Sequence, residues 1–206
     1  MMRRGLSACA AVAALVLPAA CGSTQRPAPP ESSAQATPPA ALVAQARPIG
    51  RGPSFQPPVR GPILGTCERT LGPRDGVHVE VFAANHVVLL PAGIGTRPPR
   101  ALEAGRISSA GCYGDLVTLD PTGVVLVRPG SRLTVPDLFR AWGEPLSAYR
   151  LASFSSAANA PVAAFVDGRR WHGSLASVVL RRHAEIVLEI GPYVPPHAHY
   201  TFPPGV

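Results

Sequence analysis

Residues 77–90 read VHVEVFAANHVVLL, and this stretch decides the fold. Its first valines alternate with His78, a short turn follows at Asn85, and a second apolar run completes the stretch. Apolar side chains at every second position are typical of a strand with one buried face, and two such runs around a polar turn indicate a hairpin. We therefore predict antiparallel strands at residues 77–82 and 87–90.

Two further hairpins and a final strand are predicted downstream. Residues 116–119 and 124–127 flank the turn sequence DPTG, in which proline presets φ and glycine accepts a positive φ. Residues 162–166 and 169–172 flank an Asp-Gly pair, which is a frequent two-residue hairpin turn. The apolar run at residues 184–190 is predicted to be the last strand.

One helix is predicted between the second and third hairpins. Thr134 is its N-cap, Pro136 and Asp137 lie in the first turn, and Gly143 ends it directly after Trp142. The predicted fold class is α+β, mostly β. Antiparallel hairpins form a small sheet domain with one short helix, and two similar β modules surround that helix.

The N-terminus has the pattern of a bacterial export signal. Two arginines precede the apolar run at residues 6–17, which is too short for a bilayer that needs roughly 20 residues. Small residues then lead to Cys21 in a sequence that resembles a lipobox, with Pro18 where leucine is usual. We predict a lipoprotein-type signal peptide at residues 1–20, a diacylglycerol on Cys21 and a location on the outer face of the cell membrane. The alternatives are cleavage after Ala20 without lipid, which gives a secreted protein, and an uncleaved anchor.

Proline content separates a tether from a folded domain. Residues 22–62 contain ten prolines and few large apolar residues, which is the composition of an extended, disordered chain. We predict a Pro-rich disordered tether at residues 21–62. Residues 63–206 are predicted to form one β-rich extracytoplasmic domain with a Pro-rich C-terminal tail, and they are numerous enough to bury a core.

Cysteine parity predicts a disulfide in that domain. With Cys9 in the signal and Cys21 carrying lipid, Cys67 and Cys112 remain as an even pair in an exported protein. A bridge across that loop would contribute on the order of 4 kcal/mol in the chain-entropy description. The alternative is a pair of buried thiols.

The charge distribution argues against nucleic-acid binding. The formal charge is +7, but residues 63–206 carry 13 arginines against 11 acidic residues and show no arginine stripe with interleaved aromatic side chains. The predicted partners are the membrane, through the lipid on Cys21, and an unidentified protein or cell-wall partner. Arg47, Arg51 and Arg60 are predicted to contact anionic lipid or wall polymer weakly. We expect a monomer.

Several segments of the predicted domain form a recognisable set. They are Cys67, PAGIG at 91–95, Cys112, DPTG at 120–123, LFRAWGEPL at 138–146, EIGP at 189–192 and YTFPPG at 200–205. Together they resemble an exported, histidine-rich bacterial lipoprotein domain family of unknown function. The resemblance implies an H-x-H-x-H run entering the first hairpin and a W-L-H-T-H-D run after the second cysteine, which together suggest a transition-metal site on neighbouring strands.

This chain departs from that pattern at the histidines themselves. Only His78 remains of the first run, and other residues occupy the remaining histidine positions. Those residues are Arg74, Gly76, Val117, Leu119 and Leu126. Aliphatic side chains pack but do not bind metal. We therefore predict that the chain keeps the scaffold, has lost the implied site and holds no cofactor.

The other histidines leave one residual metal hypothesis. His197 and His199 lie two apart in a Pro-rich segment, a spacing that an extended chain can use to bind copper or zinc. Because no third ligand lies nearby in sequence, we interpret both as solvated and His78 as a structural histidine. If the tail brings His197 and His199 close to His78, metal binding is favoured instead. His183 is predicted at a sheet edge and His86 in a turn.

No catalytic residues are predicted, because the chain lacks the common nucleophile and metalloprotease motifs and has no lysine. We predict a non-enzymatic, membrane-tethered lipoprotein with a binding or structural role, without a deep polar pocket. An exposed aromatic patch around Tyr193, Tyr200 and Phe202 would serve a partner. In another interpretation, Tyr200 and Phe202 fix the extended tail on the sheet. The alternative function is a copper- or zinc-binding envelope lipoprotein.

Overall fold

The computed structural model describes residues 46–157 and 159–206. The predicted signal peptide, Cys21 and the tether up to residue 45 lie outside the described residues. The described part is mostly β, as predicted, with the α-helix α1 (Val135–Trp142) and a 3-10 turn (Leu175–Ser177). Its strands are β1 (Asp75–Ala83), β2 (His86–Val87), β3 (Thr96–Glu103), β4 (Arg106–Tyr113), β5 (Leu116–Val117), β6 (Val124–Val127), β7 (Leu146–Ser147), β8 (Arg150–Leu151), β9 (Phe154–Ser155), β10 (Ala163–Val166), β11 (Arg169–Arg170) and β12 (Glu185–Ile190).

The three predicted hairpins are confirmed. The second arm of the first hairpin, the first arm of the second hairpin and the second arm of the third hairpin are shorter than predicted. β2 pairs with β1, β5 with β6, and β11 with β10, each in antiparallel register. Positive φ angles occur at Ala84 (49°) and Asn85 (64°) in the first turn, and at Asp167 (50°) and Gly168 (74°) in the third. Two successive residues with positive φ match the twist of hairpin strands. The residues of these two turns were therefore sufficient to predict the hairpins from the sequence.

The hairpins join one sheet, so the prediction of two similar β modules around the helix is wrong. The strand order is β11, β10, β12, β1, β6, β5, with β2 at the side of β1. At its centre β1 and β12 pair in parallel, and His78 lies opposite Glu185. Two smaller sheets were not predicted: the β3 and β4 hairpin, and the group β7, β8 and β9.

The helix α1 is confirmed with both of its predicted ends. The backbone N–H and the hydroxyl of Thr134 both donate to Asp137 Oδ2, at 2.9 and 2.8 Å. At the other end Gly143 has a φ of 91°, and its N–H donates to the carbonyl of Phe139. A left-handed glycine of this kind closes the last turn of a helix.

One face of the sheet, here called the core face, packs on α1. It presents the alternating valines of β1 together with Ile186 and Leu188 of β12, and these side chains form one buried cluster with Leu138, Phe139 and Trp142. The opposite face, here called the outer face, presents His78 and the other residues of the same parity. Strand alternation therefore separates an apolar layer from a face that can carry polar chemistry.

The folded domain begins earlier than residue 63. Residues 46–62 lie in the segment that composition assigned to the tether, yet they contact the domain: Val87 N–H donates to the carbonyl of Pro48, and Leu89 N–H to that of Phe55. The Phe55 ring packs against Phe154, with ring centroids 4.7 Å apart. Proline favours an extended backbone but does not prevent docking, so composition placed this boundary too late.

Cys67 and Cys112 form the predicted disulfide. Their Cα atoms are 5.3 Å apart, within the range that disulfides occupy. The bridge connects β4 to the segment before β1, where Glu68 and Tyr113 also exchange two backbone hydrogen bonds. It therefore fixes the β3 and β4 hairpin beside the main sheet.

Within the described part of the chain, no helix has both the length and the apolar character needed to cross a membrane.

Candidate metal centre

Three chemically active side chains meet on the outer face where β1 pairs with β12. His78 and Glu80 are two residues apart on β1 and therefore point to the same face. Glu185 begins β12 directly opposite His78. His78 and Glu185 are only 6% and 1% exposed, and Glu80 is half-buried. The parallel pairing thus places one imidazole and two carboxylates together in a largely covered position.

Both ring nitrogens of His78 have hydrogen-bond partners. Nε2 lies 3.0 Å from the carbonyl oxygen of Thr122, and Nδ1 lies 2.8 Å from Glu185 Oε2. Because a carbonyl oxygen can only accept, Nε2 carries a hydrogen and donates it to Thr122. The contact between Nδ1 and Glu185 then requires one proton, shared between the imidazole and the carboxyl group.

The turn between β5 and β6 is shaped to meet the His78 ring. Gly123 has a φ of 85°, and a Cβ atom at this position would lie 2.9 Å from Nε2 of His78. The N–H of Val79 donates to the carbonyl of Gly123 at 2.9 Å. Glycine at 123 therefore allows the turn to approach closely enough for the Thr122 carbonyl to orient the imidazole.

Burial and negative charge both act on the acids of this region. Burial raises the pKa of the Glu185 carboxyl above its ordinary value of 4.5, while the hydrogen bond from His78 opposes the rise. Burial also raises the pKa of the Tyr200 phenol, and the negative charges of Asp120 and Glu185 add to it. These pKa shifts indicate that Glu185 and Tyr200 lie in a poorly hydrated region.

The C-terminal tail, residues 191–206, lies across the outer face. Val194 is buried with Phe82, Phe165 and Val187. The Tyr200 ring stacks on His78, with centroids 3.8 Å apart and an interplanar angle of 11°. The tail thus covers His78 from the solvent side.

The end of the tail is attached near the start of β12. Phe202 stacks on His183, with ring centroids 4.8 Å apart. His183 Nε2 donates to the backbone carbonyl of Val206 at 2.7 Å. The interpretation that Tyr200 and Phe202 fix the tail on the sheet is confirmed.

A cleft of about 810 Å³, here called the tail cleft, lies between the outer face and the tail. His78, Glu80 and Glu185 line its sheet side, and residues 195–201 line its tail side. Arg47 also lines it. The sequence analysis did not predict this cleft, because no local sequence pattern shows that the tail folds back over the sheet.

The three side chains that meet on the outer face have the geometry of a metal site. One ligand atom from each of His78, Glu80 and Glu185 can be chosen so that all three lie within 4.8 Å of one another. Zinc bonds of about 2.0–2.2 Å place tetrahedral ligand atoms about 3.4 Å apart, so small side-chain rotations suffice. Metal-bound histidines usually donate their second ring N–H to a carbonyl or carboxylate, and His78 already does so to Thr122.

Of the three histidine candidates, His78 belongs to this group and His197 contacts another of its members. His197 lies on the tail, with Nδ1 2.9 Å from Glu80 Oε2. His199 is exposed and, among the described residues, has neither a hydrogen bond nor a ring contact. The sequence analysis did not identify Glu80 and Glu185 as ligands. The one available signal was that Glu80 shares the parity of His78 within an alternating strand.

Four of the five positions where the resemblance implied histidines lie in apolar packing, whereas the guanidinium of Arg74 donates to the carbonyl of Gly114. Leu126 pairs with both Gly76 and Val117, and Val117, Leu119 and Leu126 are buried in one cluster. A Cβ atom on Gly76 would collide with Val206 and Phe202 of the tail. In this chain the apolar residues at these positions form a hydrophobic contact that holds the end of the tail.

The predicted aromatic patch is not formed. Tyr193 is 65% exposed, but Tyr200 and Phe202 are half-buried against His78 and His183. His183 is exposed, and His86 begins β2 directly after the turn, with Nδ1 2.9 Å from the Ala84 carbonyl.

The chain matches no known protein family, no curated protein and no solved structure.

Proposed function

We propose that this protein is a lipid-anchored, extracytoplasmic and non-catalytic domain that binds a divalent transition-metal ion in the tail cleft. The observation that carries the proposal is the arrangement of His78, Glu80 and Glu185, whose ligand atoms lie within 4.8 Å of one another. A cation bound at Nδ1 of His78 would take the place of the shared proton in the contact with Glu185.

The chemistry of the donors favours a borderline metal ion. One imidazole and two carboxylates suit zinc and the neighbouring divalent ions of the first transition row. Calcium takes six to eight oxygen ligands, which two carboxylate side chains do not provide. The cover that Tyr200 places on His78 suits retention of an ion more than access of a substrate to it.

Zinc binding provides the direct test. Untagged, metal-free protein titrated with Zn²⁺ in a calorimeter is expected to bind one ion per chain and to bind Ca²⁺ far more weakly. Glu185→Gln is expected to weaken zinc binding by at least about tenfold, because an amide is a poorer ligand than a carboxylate. This variant keeps a hydrogen bond to His78, so it tests ligation without breaking the fold.

Glu103→Gln is the matched control, because it makes the same chemical change on the exposed strand β3. It is expected to bind zinc as the parent protein does. Absence of zinc binding by the parent protein, or equal affinities of the Glu185→Gln and Glu103→Gln variants, would contradict the proposed function.

The lipid anchor has its own test. Intact mass measured on protein extracted from bacterial membranes is expected to show a diacylglycerol on a chain that begins at Cys21. Cys21→Ala is expected to abolish this modification and the membrane association. A mature parent protein of unmodified mass in the culture medium would instead support cleavage after Ala20 and overturn the anchor.

A further inference from the structure

We infer that His197 is a fourth ligand of the ion, and that occupancy of the site fixes the middle of the C-terminal tail over the cleft. The inference rests on the proposed function and adds a residue and a conformational consequence to it. His197 belongs to the tail, whereas the other three ligands belong to the sheet. An ion shared by both would connect them.

His197 lies directly beside Glu80, one of the three proposed ligands. Its Nδ1 lies 2.9 Å from Oε2 and 3.0 Å from Oε1 of Glu80. His197 lies outside the group of three side chains whose ligand atoms are within 4.8 Å of one another, so a small movement of the tail must bring its Nδ1 from Glu80 onto the ion. With His197 the site contains two imidazoles and two carboxylates, which completes the four-coordinate set that zinc prefers.

Without metal, the contact between His197 and Glu80 is weak. The side chain of His197 is 39% exposed, and that of Glu80 is 19% exposed. A pair with this much solvent contact adds little to the stability of a structure. In the absence of an ion the tail is therefore held weakly at this point, whereas a shared metal ion would replace that contact by two coordinate bonds.

The effect is expected to be local, because the tail has attachments on both sides of the site that need no metal. On one side Val194 is buried and its N–H donates to Glu189 Oε2 at 3.3 Å. On the other side the Val206 carbonyl accepts a hydrogen bond from His183. Between these attachments, residues 195–201 contact the cleft and should respond to the ion.

Hydrogen exchange measured by mass spectrometry tests the inference on the mature chain, with and without Zn²⁺. We expect zinc to slow exchange in peptides covering residues 195–201, with a smaller change in residues 146–155 of β7, β8 and β9, where Leu151 is buried in the core-face cluster. His197→Ala is expected to weaken zinc binding at least about tenfold and to abolish the added protection.

His199→Ala is the control, since this imidazole lies two residues away on the same tail and is exposed. It is expected to change neither zinc affinity nor protection. If zinc binds but leaves residues 195–201 unprotected, or if His197→Ala binds zinc as well as His199→Ala does, the inference fails while the proposed function stands. If zinc does not bind the parent protein, both fail.

Discussion

Trp142→Ala is expected to lower the free energy of unfolding by about 3–5 kcal/mol, the range for deleting a large buried aromatic side chain. Trp142 is fully buried at the end of α1 and packs against Phe139, with ring centroids 5.5 Å apart. Alanine would leave a cavity that the sheet and helix fill only in part. Urea denaturation followed by circular dichroism measures the loss.

Trp142 also connects the helix to the segment before residue 63. Its indole Nε1 donates to the carbonyl of Pro57 at 3.3 Å, and its own carbonyl accepts from the N–H groups of Arg60 and Gly61 at 2.8 and 3.0 Å. The alanine variant removes only the first of these bonds. We therefore also expect earlier proteolysis within residues 46–62.

Trp171→Ala is the matched control for Trp142→Ala. Trp171 is 37% exposed and its Nε1 donates to the carbonyl of Ser174 at 3.2 Å. We expect a loss below about 1 kcal/mol, as is usual for surface substitutions. Similar losses for the two tryptophans would contradict the assignment of Trp142 to the core of the fold.

The parts of this fold that sequence predicts are those with local causes. The turn at Asn85, the Asp-Gly turn before β11 and the capped helix each depend on residues within a few positions of one another. Backbone preferences and side-chain caps act at that range, so their signals are present in a single sequence. The boundaries of strands were less accurate, because pairing partners decide where a strand ends.

The β3 and β4 hairpin shows how a strand can lack a sequence signal. β3 reads TRPPRALE, and nearly all of its residues are exposed. Two prolines and no apolar alternation argue against a strand, and the pairing accommodates them with a register shift between Arg97 and Arg100. The disulfide from Cys112 helps to hold this hairpin against the domain.

The candidate metal centre could not be predicted from the sequence either, because its residues are distant from one another along the chain. His78 and Glu185 are 107 positions apart and meet through a parallel pairing that no local pattern specifies. Glu80 and Glu185 lie in apolar strands, where a single carboxylate is usually read as a residue on the solvent side. Only the position of the tail shows that this side is covered.

His78→Ala is expected to lower the free energy of unfolding by about 3–5 kcal/mol, because it leaves the Glu185 carboxylate buried without its partner. Removal of both partners in His78→Leu with Glu185→Leu is expected to cost less than His78→Ala alone, since no buried charge remains. The difference separates the penalty of an unpaired charge from simple loss of packing. A double replacement that costs as much as the two single ones combined would contradict this explanation.

The pair of His78 and Glu185 also predicts that the stability of the metal-free protein depends on pH. The native pKa of Glu185 lies above its ordinary value of 4.5, so the folded state binds this proton more tightly than the unfolded state does. The stability that this adds is fully present below about pH 4.5 and is lost as pH rises through the native pKa.

Glu185→Gln has no such proton and its amide still donates to Nδ1 of His78. We therefore expect unfolding free energies of the parent protein, measured in urea across a pH series, to fall relative to those of Glu185→Gln as pH rises from 4.5. Parallel curves would mean that burial does not raise the pKa of this carboxyl, whereas Glu103→Gln, exposed on β3, should run parallel to the parent protein.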